Sequence, residues 1–413
     1  MSPAPASSPD WRHRFAVLTA AATLALVCAG GLVTSHGVGM AVPDWPNTYG
    51  YNMFFFPFSR WVGGIFYEHT HRLVASGVGL LTTILAIWLY GYRSRPFLRY
   101  AGGVLCVLAL VTGLGAHRQA DAIVLGITGV AALVASFFWP ATDAARVWIR
   151  RLGLVAFFAV VIQGVLGGLR VVLFKDQIGI FHATLAQMFF ALTCVLALVT
   201  SGWWRHQSET ANAAAFAVVG RARWFFIAAT SLILLQLILG ATMRHQHAGL
   251  SIPDFPLAYG KIWPAIDPSS VAHYNQQRVE LTDANPITAF QIVLQMVHRL
   301  MALLILVAVS CAALVSRRQF GPSARCSRLS LVWAGLVLVQ ALLGAATIWT
   351  NKAADIATAH VLVGALLLAM GTLLTLLAYL EQSTRAAVQF ANRNQSAVEH
   401  PFSPRPSTAT SLE

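Results

Sequence analysis

Ten runs of roughly 20 predominantly apolar residues leave this chain one solvent in which to fold, because a helix rising 1.5 Å per residue needs about that length to cross a hydrocarbon core. They predict helices near 15–35, 66–91, 98–116, 121–140, 152–173, 178–201, 223–243, 287–315, 328–349 and 356–380. With 57% hydrophobic and 10% charged residues over 413, the chain is no ordinary soluble domain. The expected fold is an all-α integral membrane protein: two pseudo-repeated four-helix bundles plus an inserted helix pair. The first run, with Trp11 to Arg14 as its basic flank, has features of a cleaved secretory signal. Its length and its repeat partner argue that it stays.

The net charge of +13 does not point to nucleic acid, because the basic residues fall in short loops between apolar runs and form no single patch. Loops containing Arg93, Arg95 and Arg99, then Arg146, Arg150 and Arg151, then Arg205, Arg221 and Arg223, then Arg317, Arg318, Arg325 and Arg328 fall on one side and, with both tails, hold most of the 28 Lys and Arg. By the positive-inside rule both termini are cytoplasmic, in a multi-pass protein of the cell inner membrane. The expected organisation is a disordered cytoplasmic tail at 1–14, an N-terminal half at 15–201 with an inserted pair at 98–140, a cytoplasmic linker at 202–222, a C-terminal bundle at 223–382 and a disordered tail at 383–413. The five cysteines show neither a disulfide framework nor zinc-type spacing.

An internal repeat carries more information than any single motif. Pro43-Asp44-Trp45-Pro46-Asn47-Thr48-Tyr49-Gly50 returns as Pro253-Asp254-Phe255-Pro256-Leu257-Ala258-Tyr259-Gly260, and Gly30 and Gly39 return as Gly240 and Gly249. Gln163-Gly164-Val165-Leu166-Gly167, followed by His182, matches Gln340-Ala341-Leu342-Leu343-Gly344, followed by His360. Glu68-His69-Thr70-His71-Arg72 matches Gln295-Met296-Val297-His298-Arg299, with an amide replacing the carboxylate. Each half thus contributes four helices and two recurring histidines; the spans near 98–116 and 121–140 have no partner in the repeat.

Histidine is where chemistry enters. His71, His182, His298 and His360 fall near the outward ends of their helices, two per half, which is the count a six-coordinate haem iron needs. Any one alone reads more readily as a core histidine hydrogen-bonded to a neighbouring helix; the duplicated pattern of four favours ligation. Glu68 and His71 share a helix face by their i,i+3 spacing, and Glu68 alone among the 15 acidic residues enters an apolar span. Arg72 and Arg299 are candidate propionate contacts, with snorkelling at a helix end as the alternative. His36, His245 and His247 belong to outer loops and read first as surface histidines, with the lining of a substrate or electron-acceptor mouth as the alternative; His69 points off the Glu68/His71 face and reads as structural. His13, His117, His206, His273 and His400 read as loop or tail residues.

In this order on these helices, Glu68-x-x-His71-Arg72, Gln163-x-x-Leu166-Gly167-Gly168 with His182, Gln295-x-x-His298-Arg299, Gln340-x-x-Leu343-Gly344 with His360 and the loop Ala248-Gly249-Leu250-Ser251-Ile252-Pro253-Asp254 resemble the haem A synthase family over roughly 15–92 and 150–382. The resemblance implies an oxidoreductase of aa3-type oxidase biogenesis that converts the C8 methyl of haem O to a formyl group. It implies haem b as cofactor on His298 and His360, with Arg299 beside it. His71 and His182 become ligands of the substrate haem, and Glu68 the reactive carboxylate. Expected partners are haem O, membrane lipid, a haem O synthase and oxidase assembly proteins; a homo-oligomer stays open. Two departures stand out: some members carry a cysteine pair in the first outer loop, whereas residues 36–65 have none, and familiar members have eight spans. Competing readings are a b-type haem electron-transfer subunit and a haem-carrying oxidase assembly factor, neither of which gives a reason for the Glu68/Gln295 asymmetry.

Overall fold

The computed structural model describes residues 10–115, 118–211, 220–278 and 286–399. Among them the chain is all-helical: α1 (Trp11–Ser35), α2 (Gly63–Leu89), α3 (Arg95–Leu110), α4 (Gln119–Phe138), α5 (Val147–Leu173), α6 (Asp176–Thr200), α7 (Gly202–Ala211), α8 (Arg221–His245), α9 (Pro268–Gln276), α10 (Ala289–Phe320), α11 (Arg325–Trp349) and α12 (Ala354–Glu399). Ten of these segments are long and apolar enough to cross a membrane, and this is a multi-pass membrane protein. Each expected span is present, displaced by a few residues at its ends. Several threonine hydroxyls inside the spans bond back to their own helix, as Thr23 does to Thr19 O and Thr82 to Val78 O, which satisfies them without water, whereas those of Thr70, Thr184 and Thr230 are buried without a partner.

Two boundaries differ from expectation. The tail expected to be disordered from 383 continues α12 as helix to Glu399. Polarity suggested disorder there, but no glycine or proline interrupts the chain between Gly371 and Pro401, and the stretch is rich in helix formers. The linker expected at 202–222 begins as α7, and residues 212–219 lie outside the described residues, as do 1–9 of the N-terminal tail and 400–413.

Helices α1, α2, α5 and α6 pack in a ring, α8, α10, α11 and α12 pack in a second, and α1 and α6 meet α12 along a seam that α8 joins through α6. The core crosses that seam: Val27 and Phe190 cluster with Phe226, Val309, Trp333 and Leu367. Trp333 is fully buried and its indole N–H donates to Leu367 O at 3.0 Å, which satisfies the one polar atom of a large core residue. The inserted α3–α4 hairpin packs mainly on itself. Its helices cross where Gly102 faces Gly129: a Cβ on Gly102 would lie 2.8 Å from Gly129 O, so only glycine allows this approach. Arg95 to Trp139 O closes the hairpin's own open end, while Asn52 Nδ2 to Asp121 Oδ1 ties α4 to the loop after α1 and Ala145 N to Leu89 O ties the α4–α5 connection to α2.

Candidate functional site: two histidine pairs under two clamped loops

On one face of the membrane-spanning region, the repeated Pro-Asp-aromatic-Pro motif forms the same turn twice. Asp44 accepts from Tyr49 N and Gly50 N, both at 2.7 Å; Asp254 accepts from Tyr259 N at 2.7 Å and Gly260 N at 2.9 Å. The tyrosines sit at φ 49 and 52 and the glycines at φ 78 and 73, so the carboxylate holds a left-handed pair that the chain does not otherwise favour. The tyrosine hydroxyls reach back to the start of each loop, Tyr49 to Ala41 O and Tyr259 to Ser251 O. Burial, with Tyr274 stacked on the ring, pushes the Tyr259 phenol up to about 12.

Each turn is clamped by the helix that carries the first histidine of its half. Arg72 donates to Asp44 O at 2.7 Å, Asn47 O at 2.9 Å, Val42 O at 2.8 Å and Glu68 Oε1 at 2.8 Å. Arg299 donates to Leu257 O at 2.9 Å and Asp254 O at 2.8 Å. Glu68 Oε2 accepts from Val42 N at 2.8 Å, and Gln295 Oε1 accepts from the corresponding Ile252 N at 2.7 Å and from Ser251 Oγ at 2.8 Å. Both arginines expected near propionates therefore have their terminal nitrogens bonded into a loop. Glu68, expected to face the substrate, has both oxygens bonded to Arg72 and to the loop backbone.

The four histidines share one arrangement. A Cβ would lie 3.0 Å from His71 Cε1 if added to Gly30, 3.3 Å from His182 Cε1 at Gly167, 3.3 Å from His298 Cε1 at Gly240 and 3.2 Å from His360 Cε1 at Gly344. Each imidazole is thus seated against a glycine of the adjacent helix, and the missing side chain is what admits the ring. In three of the four, a glutamine one helical turn before the glycine bonds the backbone of the histidine: Gln163 to His182 O at 3.0 Å, Gln236 to His298 O at 3.0 Å and Gln340 to His360 O at 2.9 Å. Gln236 escaped sequence reasoning, although its Gln-x-x-x-Gly spacing to Gly240 equals that of Gln163 to Gly167 and was the signal that could have found it.

The rings come together in pairs. His298 and His360 lie with centroids 6.5 Å apart and planes 58° apart, and His71 lies within electrostatic range of His182. On all four, Nδ1 is buried without a hydrogen-bond partner, a cost of about 1–3 kcal/mol each if nothing else is bound nearby. An ion held between two imidazoles at roughly 2 Å from each nitrogen would put the centroids about 6 Å apart. Spacing, glycine seats and buried neutral nitrogen donors together fit a bis-imidazole haem. Gly344→Val should push His360 off its seat; overpacking of about 1–3 kcal/mol corresponds to roughly 5- to 150-fold lower haem retention by that pair. The haem-to-protein absorbance ratio of the purified variant measures it.

Other histidines are placed differently. His69 is fully buried between Phe56 and Trp61, with Nδ1 3.1 Å from Thr48 Oγ1, a packing role. His36 stacks on Tyr67 at 4.3 Å and His247 is exposed on a left-handed backbone, both at the loop face. His245, expected in an outer loop, instead ends α8 and is buried against Gly179 of α6.

A model of the COX15-CtaA family, described as cytochrome oxidase assembly protein, matches residues 115–372. The chain is also similar to a heme A synthase of Geobacillus kaustophilus (strain HTA426), at 24% identity over 394 residues, which covers 92% of this chain and 95% of that protein.

Proposed function

Because the chain belongs to the COX15-CtaA family of cytochrome oxidase assembly proteins, we propose that it is a haem A synthase, oxidising the C8 methyl of haem O to a formyl group. The observation that carries this reading is the pairing of four glycine-seated histidines, His71 with His182 and His298 with His360, each ring bearing a buried nitrogen without a partner. Two bis-imidazole sites in one chain suit one resident haem and one substrate haem. His298 and His360 hold haem b, and His71 and His182 hold haem O. The resident haem supplies one-electron redox chemistry when bound.

Methyl-to-formyl conversion consists of two successive oxidations with net gain of one oxygen, so protons must leave the substrate as electrons do. The chain's own groups orient the substrate and manage charge. The imidazoles would hold each haem, and the glycine seats, with glutamine bonds to the backbone of three of the four histidines, position the imidazoles. The clamped loops are fixed to the same helices that carry His71 and His298.

Glu68 is proposed as the reactive carboxylate. Gln295 builds the equivalent clamp with a neutral amide, so the loop does not require a charge at this position. The negative charge present in the first half alone is thus available to stabilise a developing cation or to accept a proton.

Haem extraction from the purified protein tests the function: haem O or its oxidised derivatives should accompany haem b. A fixed complement of haem b alone would sink the synthase reading in favour of an electron carrier.

The orientation proposed from the arginine distribution puts the clamped loops outside and both termini in the cytoplasm. Reporter fusions at Arg95, Gly321 and the C-terminus should read cytoplasmic, and those at Asn47, Lys175 and Ala353 external. A cytoplasmic signal at Asn47 would reverse the assignment.

A further inference from the structure

Arg72 and Arg299 lie within electrostatic range of His71 and His298 but are bonded into the loops, and further cations lie near them. Arg170, near the end of α5, lies within electrostatic range of both His71 and His182. Its terminal nitrogens press on the loop after α1, where a Cβ on Gly39 would lie 3.0 Å from Nη1 and from Nη2. Arg244, at the end of α8 in the other ring, reaches across the seam and donates to Gly31 O at 3.0 Å and Ser35 Oγ at 2.5 Å of α1. Both acceptors are neutral, and Arg244 Nε is buried without a partner. Lys352 occupies the α11–α12 turn, its backbone at φ 61 and its N–H bonded to Thr347 O at 2.7 Å. Arg244 is within electrostatic range of Arg170, of Lys352 and of His360.

Arg170 and Lys352 thus each lie within electrostatic range of Arg244, all three at helix ends on the same side as the loops. Each pair lies only a few turns from the same helix ends, since His182 and His360 follow the starts of α6 and α12 closely. Like charges gathered in a partly desolvated seam repel, and the ammonium of Lys352 is pushed toward its neutral form by burial and by Arg244. Carboxylates placed among them turn the repulsion into attraction and complete the hydrogen bonding of Arg244. A haem presents two such carboxylates on one edge.

We propose that Arg170, Arg244 and Lys352 form one carboxylate-binding site that receives the propionates of both haems, with Arg244 shared between the two histidine pairs. The inference rests on the haem reading above and adds to it that the two sites are not independent. Arg170 serves the first pair, Lys352 the second, and Arg244 both. A charge held in common makes occupancy of one site alter the affinity and potential of the other.

The test uses full-length protein in detergent, compared with variants that retain one pair, His71→Ala/His182→Ala or His298→Ala/His360→Ala. Haem loss to a scavenging apoprotein and the haem midpoint potential are measured for each. Arg244→Gln should speed haem loss from both sites by about tenfold or more and lower the potential of each, because a desolvated charge partner is removed. Arg244→Lys keeps the charge and should restore most of the potential. Arg170→Gln should affect only the His71/His182 site and Lys352→Gln only the His298/His360 site, so the proposal can be judged even if Arg244→Gln fails to fold. Haem bound normally in the parent, with loss rates within twofold in all three glutamine variants, would overturn the carboxylate site alone. An Arg244→Gln effect confined to one pair would overturn the sharing. A parent protein that binds no haem at either pair would overturn this inference together with the haem reading beneath it.

Discussion

Replacing His298 or His360 with alanine is expected to abolish stable haem b binding, weakening retention by more than about 100-fold, since in the proposed site each would supply one of the two iron ligands. The ring centroids lie 6.5 Å apart, and each imidazole is seated against a glycine of the adjacent helix, His298 on Gly240 and His360 on Gly344. Folding should survive. Removing the ring also removes a buried nitrogen that lacks a protein partner, which offsets part of the cavity cost. His71→Ala and His182→Ala should leave the low-spin haem b spectrum in place and lose the substrate haem. Absorbance spectra and pyridine haemochrome quantitation of the four proteins decide it. Full haem b in both His298→Ala and His360→Ala would remove the ligand assignment.

Glu68→Gln separates the clamp from the chemistry. The substituted amide can accept from Val42 N as Gln295 accepts from Ile252 N, and Arg72 keeps its three backbone acceptors at Asp44, Asn47 and Val42. Loss of the charged component of the Glu68–Arg72 bond should cost about 1.5–3 kcal/mol, well short of the effect of removing the side chain outright. Haem occupancy at both pairs should therefore hold, while haem A formation slows by roughly 100- to 1,000-fold and haem O or its hydroxymethyl derivative accumulates. Near-normal haem A output from a well-folded, haem-replete Glu68→Gln protein would leave the carboxylate with the clamp alone.

The sequence by itself determined the membrane class, all ten spans to within a few residues at most ends, and the candidate histidines, because span length and helical spacing are local properties that an apolar run and a repeated motif display directly. It also placed Pro43–Gly50 and Pro253–Gly260 as one recurring element, though not as a turn pinned by Asp44 or Asp254, since those bonds depend on backbone conformation that composition does not reveal. Only the tertiary structure decided what each charged or polar side chain touches. Arg72 and Arg299 stand beside histidines in the sequence, yet their guanidinium groups extend to loop carbonyls. Arg170, Arg244 and Lys352, distant in the chain and unremarked as motif residues, come within electrostatic range, Arg170 of Arg244 and Arg244 of Lys352, because α5, α8 and the α11–α12 turn end on the same face. Gln236 and the glycine seats belong to this second kind of information too. A glycine is legible as a letter, but whether it admits an imidazole depends on which helix lies against it, and that is set by packing between elements far apart in the chain.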